Sequence, residues 1–187
     1  MTGWLVRDAR PTDAPALGWI HVESWRAADR GIVADDVLDA LDPGRRGLEW
    51  LGWIAEPHGG RILVAERHED GAIGGVSAVS SYRPNPDEVT DDLAGQGWGE
   101  VRLFYLDPLV WGSGAGDQLL EESHVALADL GYRWAALWVF EANPRARRFY
   151  ERHGWADDGT RLGFEVGGGL VTEARYRRAL DGARPPL

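Results

Sequence analysis

Residues 100–155 read EVRLFYLDPLVWGSGAGDQLLEESHVALADLGYRWAALWVFEANPRARRFYERHGW, and this stretch decides the architecture. Val101–Leu106 has strand character, and Asp107-Pro108 ends it because proline cannot donate to a ladder. Trp111-Gly112-Ser113-Gly114-Ala115-Gly116 forms a glycine-rich turn. Asp117–Leu130 then carries Leu119, Leu120, Leu127, Leu130 and, loosely, Val125 on one helical face before Gly131 stops it. Trp134–Phe140 is the longest unbroken apolar run, seven residues, which suits a central strand buried on both faces. Asn143–His153 has a capping asparagine, Pro144 in its first turn and Gly154 past its end, the marks of a short helix.

Outward from this block the chain is less regular. Trp4–Arg7 predicts a first strand. Pro11-Thr12-Asp13 opens a helix to about Arg30, with Leu17, Ile20, His21, Ser24 and Trp25 on one stripe. Asp35–Leu41 predicts a second helical stretch, which Pro43 and Gly44 interrupt before Arg45–Ile54 resumes. Arg61–Glu66 and Ala72–Ser80 predict two strands around the turn Glu69-Asp70-Gly71. Residues 82–99 are rich in proline, glycine and acids and read as a long loop. Trp155–Val166 and Leu170–Arg178 predict a closing antiparallel pair around Gly167-Gly168-Gly169, with 181–187 as a tail. The 187 residues suit one domain, and the element order predicts an α/β class with a mixed sheet.

Composition removes several kinds of chemistry. Apolar residues make up 44% and charged residues 27%, a globular balance. Cysteine is absent, which excludes disulfides, zinc fingers, iron–sulfur clusters and a thiol nucleophile. All 20 basic residues are arginine, so there is no lysine for a Walker loop or a Schiff base. A net charge of −10 speaks against a nucleic-acid partner, whose phosphates need a basic face. No segment approaches the ~20 apolar residues of a membrane helix. Met1-Thr2-Gly3-Trp4-Leu5-Val6-Arg7-Asp8 lacks a secretory layout, so no membrane partner and a cytoplasmic location are expected. The five histidines show no ligand spacing, and no metal is expected.

The glycine turn between strand and helix is the sharpest chemical feature. Glycines let a ligand approach the backbone, and free N–H groups at a helix start attract anions. Named phosphate motifs fail here. The dinucleotide pattern has Asp117 where its third glycine belongs, and the nucleophile elbow has Trp111 two residues before Ser113. On its own the turn reads equally as a tight strand–helix connection.

In context the chain resembles the GNAT superfamily of N-acetyltransferases. The resemblance rests on Glu100 through Asp107-Pro108, on Trp111-Gly112-Ser113-Gly114-Ala115-Gly116, and on Asn143-Pro144-Arg145-Ala146-Arg147-Arg148-Phe149-Tyr150-Glu151-Arg152-His153-Gly154-Trp155. It implies a GNAT fold, α/β or α+β by scheme. The sheet is mixed, mostly antiparallel and six- or seven-stranded, with a splayed fourth and fifth strand and helices on both faces. It also implies acetyl-CoA as cosubstrate. Main-chain amides of Trp111, Gly112, Ser113, Gly114, Ala115 and Gly116 would hold the pyrophosphate, and the edge Phe104–Leu106 would pair with the pantetheine arm. Tyr150 matches the tyrosine that protonates the departing thiolate, Asn143 a cofactor contact, and Glu100 a strand glutamate that takes the amine proton. Plain roles stand beside these: Asn143 as a helix cap, Tyr150 as a core aromatic, Glu100 as a strand end.

Two departures from the pattern matter. Trp111 stands where glutamine or arginine is usual, and Ser113 where a basic residue is frequent, so a side-chain hold on the phosphates should be missing. The second reading, a weak or inactive acyl-CoA sensor module, follows from that loss. Glu23-Ser24-Trp25-Arg26-Ala27-Ala28-Asp29 resembles an acceptor-side segment. It implies that Trp25 and Asp29, with Glu23, Asp35 and Asp36 nearby, favour a cationic acceptor. Among the histidines, His21 alone stands where it could face that cleft. Arg145, Arg147, Arg148 and Arg152 read as a solvated helix face or a contact to the adenosine phosphate. The expected partner is a small-molecule or peptide amine, and ten tryptophans leave a homodimer open. Direct transfer through a ternary complex is expected, because no cysteine is available to carry the acyl group.

Overall fold

A computed structural model describes residues 3–84, 92–93 and 96–180. Its strands are β1 (Trp4–Asp8), β2 (Arg61–Arg67), β3 (Ile73–Ser81), β4 (Gly99–Leu106), β5 (Trp134–Phe140), β6 (Ala156–Val166) and β7 (Gly169–Ala179). Its α-helices are α1 (Ala14–Ala28), α2 (Asp35–Asp39), α3 (Pro43–Ala55), α4 (Ala115–Asp129) and α5 (Pro144–Arg152). The strands form one seven-stranded sheet in the order β1-β2-β3-β4-β5-β7-β6, antiparallel except for β4 with β5. The mixed sheet and interior position expected for Trp134–Phe140 are both present.

Two apolar clusters cover the two faces of the sheet. Leu119, Leu120 and Leu127 of α4 pack with Val101, Leu137, Val139, Tyr150 and Tyr176. On the opposite face Leu17 and Ile20 of α1 pack with Trp50 of α3 and with Val64 and Val76. Trp50, Leu17 and Ile20 are almost wholly buried, and at ~25 cal/mol per Å² such side chains contribute much of the fold's stability.

Three local expectations change. Pro43 does not interrupt a helix but starts one: Asp42 caps α3 by accepting from the Arg45 amide at 2.6 Å, and proline is tolerated at the first position. The helix after the glycine turn begins at Ala115, two residues early, because Gly114 takes the left-handed N-cap position at φ 90. Val125 is exposed and does not join that helix's buried face. The loop 82–99 is closed at its base, where the Tyr82 amide donates to the Trp98 carbonyl at 2.8 Å. Tyr82, Leu93 and Trp98 pack there on Ala136. The rest of that loop (85–91, 94–95) and the tail 181–187 lie outside the described residues. No helix among the described residues is long and apolar enough to cross a membrane.

Candidate active site at the split between β4 and β5

The site begins with a gap in the sheet. β4 and β5 pair only at Gly99↔Ala135 and Glu100↔Ala136. Beyond Glu100 the two strands part, since β4 stays with β3 as far as Leu106 while β5 stays with β7 along its whole length. Among the described residues the β4 edge past Glu100 therefore has no strand partner on the β5 side, and its main-chain groups can pair with an extended ligand. The splayed pair expected from the resemblance is present.

A bulge then sorts the side chains of β4. Ala78 pairs with Leu103 and Val79 with Val101, so Arg102 is an extra residue without an opposite. Alternation resumes one residue out of step. Leu103 and Tyr105 pack toward α1, in the face Glu100 also takes, whereas Val101, Phe104 and Leu106 pack toward α4. The split joins these faces in one cavity of about 640 Å³, a size common for small-molecule sites.

On the α4 side the cavity is lined by Phe104, Leu106, Gly112, Gly114, Gly116 and Tyr150. Gly112 at φ 79 and Gly114 at φ 90 occupy conformations that side-chain-bearing residues avoid. Gln118 is the first amide bonded back to a main-chain carbonyl of the turn, that of Gly114 at 3.1 Å, while the Ala115 amide meets only the Ser113 Oγ at 3.5 Å. The earlier first-turn amides of α4 thus lack helical partners, an anion-binding arrangement. A side chain at Gly116 would meet Leu106 at 2.8 Å, so glycine there lets α4 reach the edge of β4. Phe104 packs against Phe149 and Tyr150 of α5, with ring centroids 5.7 and 6.2 Å away. Burial raises the Tyr150 phenol well above its ordinary pKa, which keeps it a proton donor at neutral pH.

On the α1 side the walls are aromatic and acidic. Trp25, Tyr105, Trp138, Phe140 and Phe164 line the cavity with Asp29, Glu100 and Glu173. Asp29 caps the C-terminus of α1, and burial pushes its carboxyl up to about 6 against a hydrogen bond from Asn143. Asn143 links the two halves: its Oδ1 accepts from the Ala146 amide at 3.0 Å, capping α5, and its Nδ2 donates to Asp29 at 3.3 Å. Glu100 is 4% exposed and accepts from the Arg83 main-chain amide at 3.0 Å, with the Arg83 guanidinium at 3.5 Å. Burial raises the Glu100 carboxyl despite that cation.

Most site residues expected from the sequence meet in this cavity: Trp25, Asp29, Glu100, Phe104, Leu106, Trp111, Gly112, Gly114, Gly116, Asn143 and Tyr150. The side chains of Ser113 and Ala115 do not. Ser113 faces a shallow hollow with Gly3, Trp4 and Val110, and Ala115 is fully buried in the core. Glu23 and Asp35 bond instead to Arg26 and Arg30, at 2.9 and 3.1 Å, and neither they nor Asp36 reach the cavity. His21 does not line it either. It is buried between Trp50 and Tyr105, stacked on the latter at 4.4 Å, and burial lowers its pKa to about 4.

One contributor had no signal in its local sequence. Glu173 enters from β7 opposite Phe140. Arg145 lays its guanidinium over the Trp111 ring, 3.6 Å from the centroid, beside the glycine turn. The arginine run of α5 is accordingly divided. Arg145, Arg148 and Arg152 line the cavity, whereas Arg147 donates to Tyr176 at 2.9 Å.

Comparison with known proteins follows the same geometry. A sequence model of the Acetyltransferase (GNAT) family matches residues 19–155. The chain belongs to this family. An uncharacterized N-acetyltransferase of Bacillus subtilis, YuaI, is 26% identical over 139 residues, covering 74% of this chain and 73% of its own. The uncharacterized N-acetyltransferase Rv2669 of Mycobacterium tuberculosis is 27% identical over 157 residues, 83% of this chain and 90% of its own. Among solved structures, yncA of Salmonella typhimurium with acetyl-CoA superposes with TM-score 0.69 at 19% identity, covering 98% and 97% of the two chains. The paia N-acetyltransferase of Thermoplasma acidophilum, in complex with coenzyme A, gives 0.68 at 18% identity, covering 91% and 97%. The fold is that of a GNAT acetyltransferase, and the chain is an enzyme of that family.

Proposed function

We propose that this GNAT enzyme moves an acetyl group from acetyl-CoA directly to a primary amine that arrives as an ammonium ion. The observation that carries this reading is the cavity through the split sheet, with anion-binding amides on one face and carboxylates among aromatic rings on the other. Bound acetyl-CoA supplies the acetyl thioester. The chain supplies the rest. Amides at Gly114 and Gly116 would hold the pyrophosphate, and Arg145, steadied on Trp111, gives back the cation that residue 111 does not carry. That replacement speaks against the sensor reading at position 111, while Ser113 still offers no cation.

The free β4 edge would hold the pantetheine arm and present an N–H to the thioester carbonyl oxygen, where negative charge develops during transfer. Tyr150 would give its proton to the departing sulfur. Across the split, Asp29 and Glu173 outnumber Arg102 once Glu100 is paired with Arg83, and the aromatic walls add a surface that attracts cations. The best acceptor is therefore a small or peptide amine whose flank near nitrogen is apolar.

Thiol release from acetyl-CoA against a panel of amines tests the reading, and the absence of cysteine leaves no protein background. Double-reciprocal lines should intersect, as in a ternary complex, and polycationic or hydrophobic amines should outperform amines with neighbouring carboxylates. Parallel lines would contradict direct transfer. Coenzyme binding without turnover of any amine would favour the sensor.

A further inference from the structure

Resting on that reading, we infer that Glu173, rather than Glu100, is the group that takes the proton from the acceptor's ammonium. The three carboxylates on the acceptor side differ in what already holds them. Asp29 accepts from Asn143 at 3.3 Å. Glu100 accepts from the Arg83 amide at 3.0 Å and lies 3.5 Å from its guanidinium. The Glu173 carboxylate has no hydrogen bond or ion pair among the described residues, yet the residue lines the cavity. A carboxylate without partners keeps all of its acceptor positions for a substrate N–H and has no existing bond to give up.

Its position follows from strand register. β7 alternates, with Ala174 and Tyr176 buried toward α4 and α5, so Glu173 and Arg175 take the α1 face. Glu173 pairs with Phe140, whose ring meets Trp25 at 6.0 Å, and the acid therefore stands in the aromatic wall. Arg175 does not neutralise it, because that guanidinium bonds to Asp158 at 2.8 Å, Asp92 at 2.7 Å and Thr160 at 2.9 Å. The charged and titratable groups that share the cavity with Glu173 are Glu100, Arg102 and Tyr105 on β4, Arg83 beyond β3, Asp29 after α1, Asp117 on α4, and Arg145, Arg148, Tyr150 and Arg152 on α5. Burial and then the Glu100 charge push its carboxyl up to about 7, where a base at neutral pH works best.

The step balances. One ammonium N–H bond breaks, its proton passes to the Glu173 carboxylate, and the electron pair stays on nitrogen. The C–N bond forms as the C–S bond breaks, Tyr150 gives its proton to sulfur, and the second proton leaves nitrogen to restore the Tyr150 phenol. Glu173 then releases its proton to water.

The test is the pH profile of turnover with the best amine of the panel, for the wild type, Glu173→Gln and Glu100→Gln, together with calorimetry of coenzyme A binding. Wild-type kcat/KM should fall below about pH 7. Glu173→Gln should lose about 10²–10⁴-fold in kcat and the acid limb with it, while coenzyme affinity stays within twofold. Glu100→Gln should keep an acid limb, displaced to lower pH by loss of the neighbouring charge. An unchanged Glu173→Gln profile, or a limb abolished by Glu100→Gln alone, overturns the assignment.

A second readout needs no turnover. In Glu-¹³Cδ-labelled protein, the resonance missing from Glu173→Gln should titrate near pH 7 and shift when n-butylamine is added with coenzyme A bound. An ordinary carboxylate titration with no response to n-butylamine overturns the role even if acetylation is found. If no amine is acetylated, this experiment still decides Glu173, and only the functional reading falls.

Discussion

The two faces of the split sheet are built from opposite materials. Toward α4 and α5 the site is largely main chain: a glycine turn, the first turn of a helix and the bare edge of β4, drawn from the continuous stretch 100–155. Toward α1 it is side chain, gathered from Trp25, Asp29, Arg83, Tyr105 and Glu173, which are scattered over most of the sequence. A backbone site should tolerate changes in residue identity provided that glycines remain. A side-chain site changes chemistry with each substitution. The contrast teaches that a main-chain face depends little on which side chains stand there, whereas a side-chain face depends on each of them.

Substitutions that strike one face alone can break this contrast. The largest effect is expected from Gly114→Asp, which sets a Cβ and a negative charge at φ 90 where the phosphates approach. Coenzyme A affinity should fall at least ~100-fold while the acceptor face is untouched, read as a lost thermal shift. Tyr150→Phe should lower kcat about 10²-fold with little change in either Michaelis constant; unchanged turnover would strip the phenol of its acid role. Arg145→Ala should weaken coenzyme A about 5–30-fold, equivalent to ~1–2 kcal/mol of lost phosphate contact. Trp111→Ala should do nearly the same, with no further loss in the double variant if the ring's job is to hold the guanidinium.

Asp29→Asn should raise the acceptor's Michaelis constant about 3–10-fold and leave that of acetyl-CoA alone. Equal effects on both would erase the division between faces. The smallest effect is on stability. A carboxyl held above its unfolded pKa contributes stability that is complete below about pH 4.5 and is lost as pH rises through 7, which is the position of Glu173. Glu173→Gln should therefore raise the melting temperature at pH 8 by about 2–8 °C and give no gain at pH 4.

What was legible in the sequence follows the same division. The glycine turn, the Asn143 cap and the Phe149-Tyr150 pair sit within one or two helical turns of the groups they serve, so spacing alone places them. The bulge at Arg102, which sends Glu100 and Tyr105 to one face and Phe104 to the other, depends on how β3 pairs with β4 and has no local signature. Glu173 was invisible for a similar reason: its neighbours Phe140 and Glu100 lie far away in the chain and meet it only through sheet register. Acids near Trp25 in sequence misled for the complementary reason, because Glu23 and Asp35 point to arginines on the surface and not into the cleft. The arginine run of α5 carried both a solvated and a phosphate-contact reading, and only the turn of the helix sets Arg145 over Trp111.

Titration calorimetry of acetyl-CoA into the wild-type protein tests the central claim most directly, because every other expectation presumes that a diphosphate sits on the Gly114 turn. The account predicts saturable one-to-one binding that weakens as salt is raised and disappears in Gly114→Asp. Absence of heat and of any thermal shift at millimolar acetyl-CoA, or equal binding by Gly114→Asp, would contradict it.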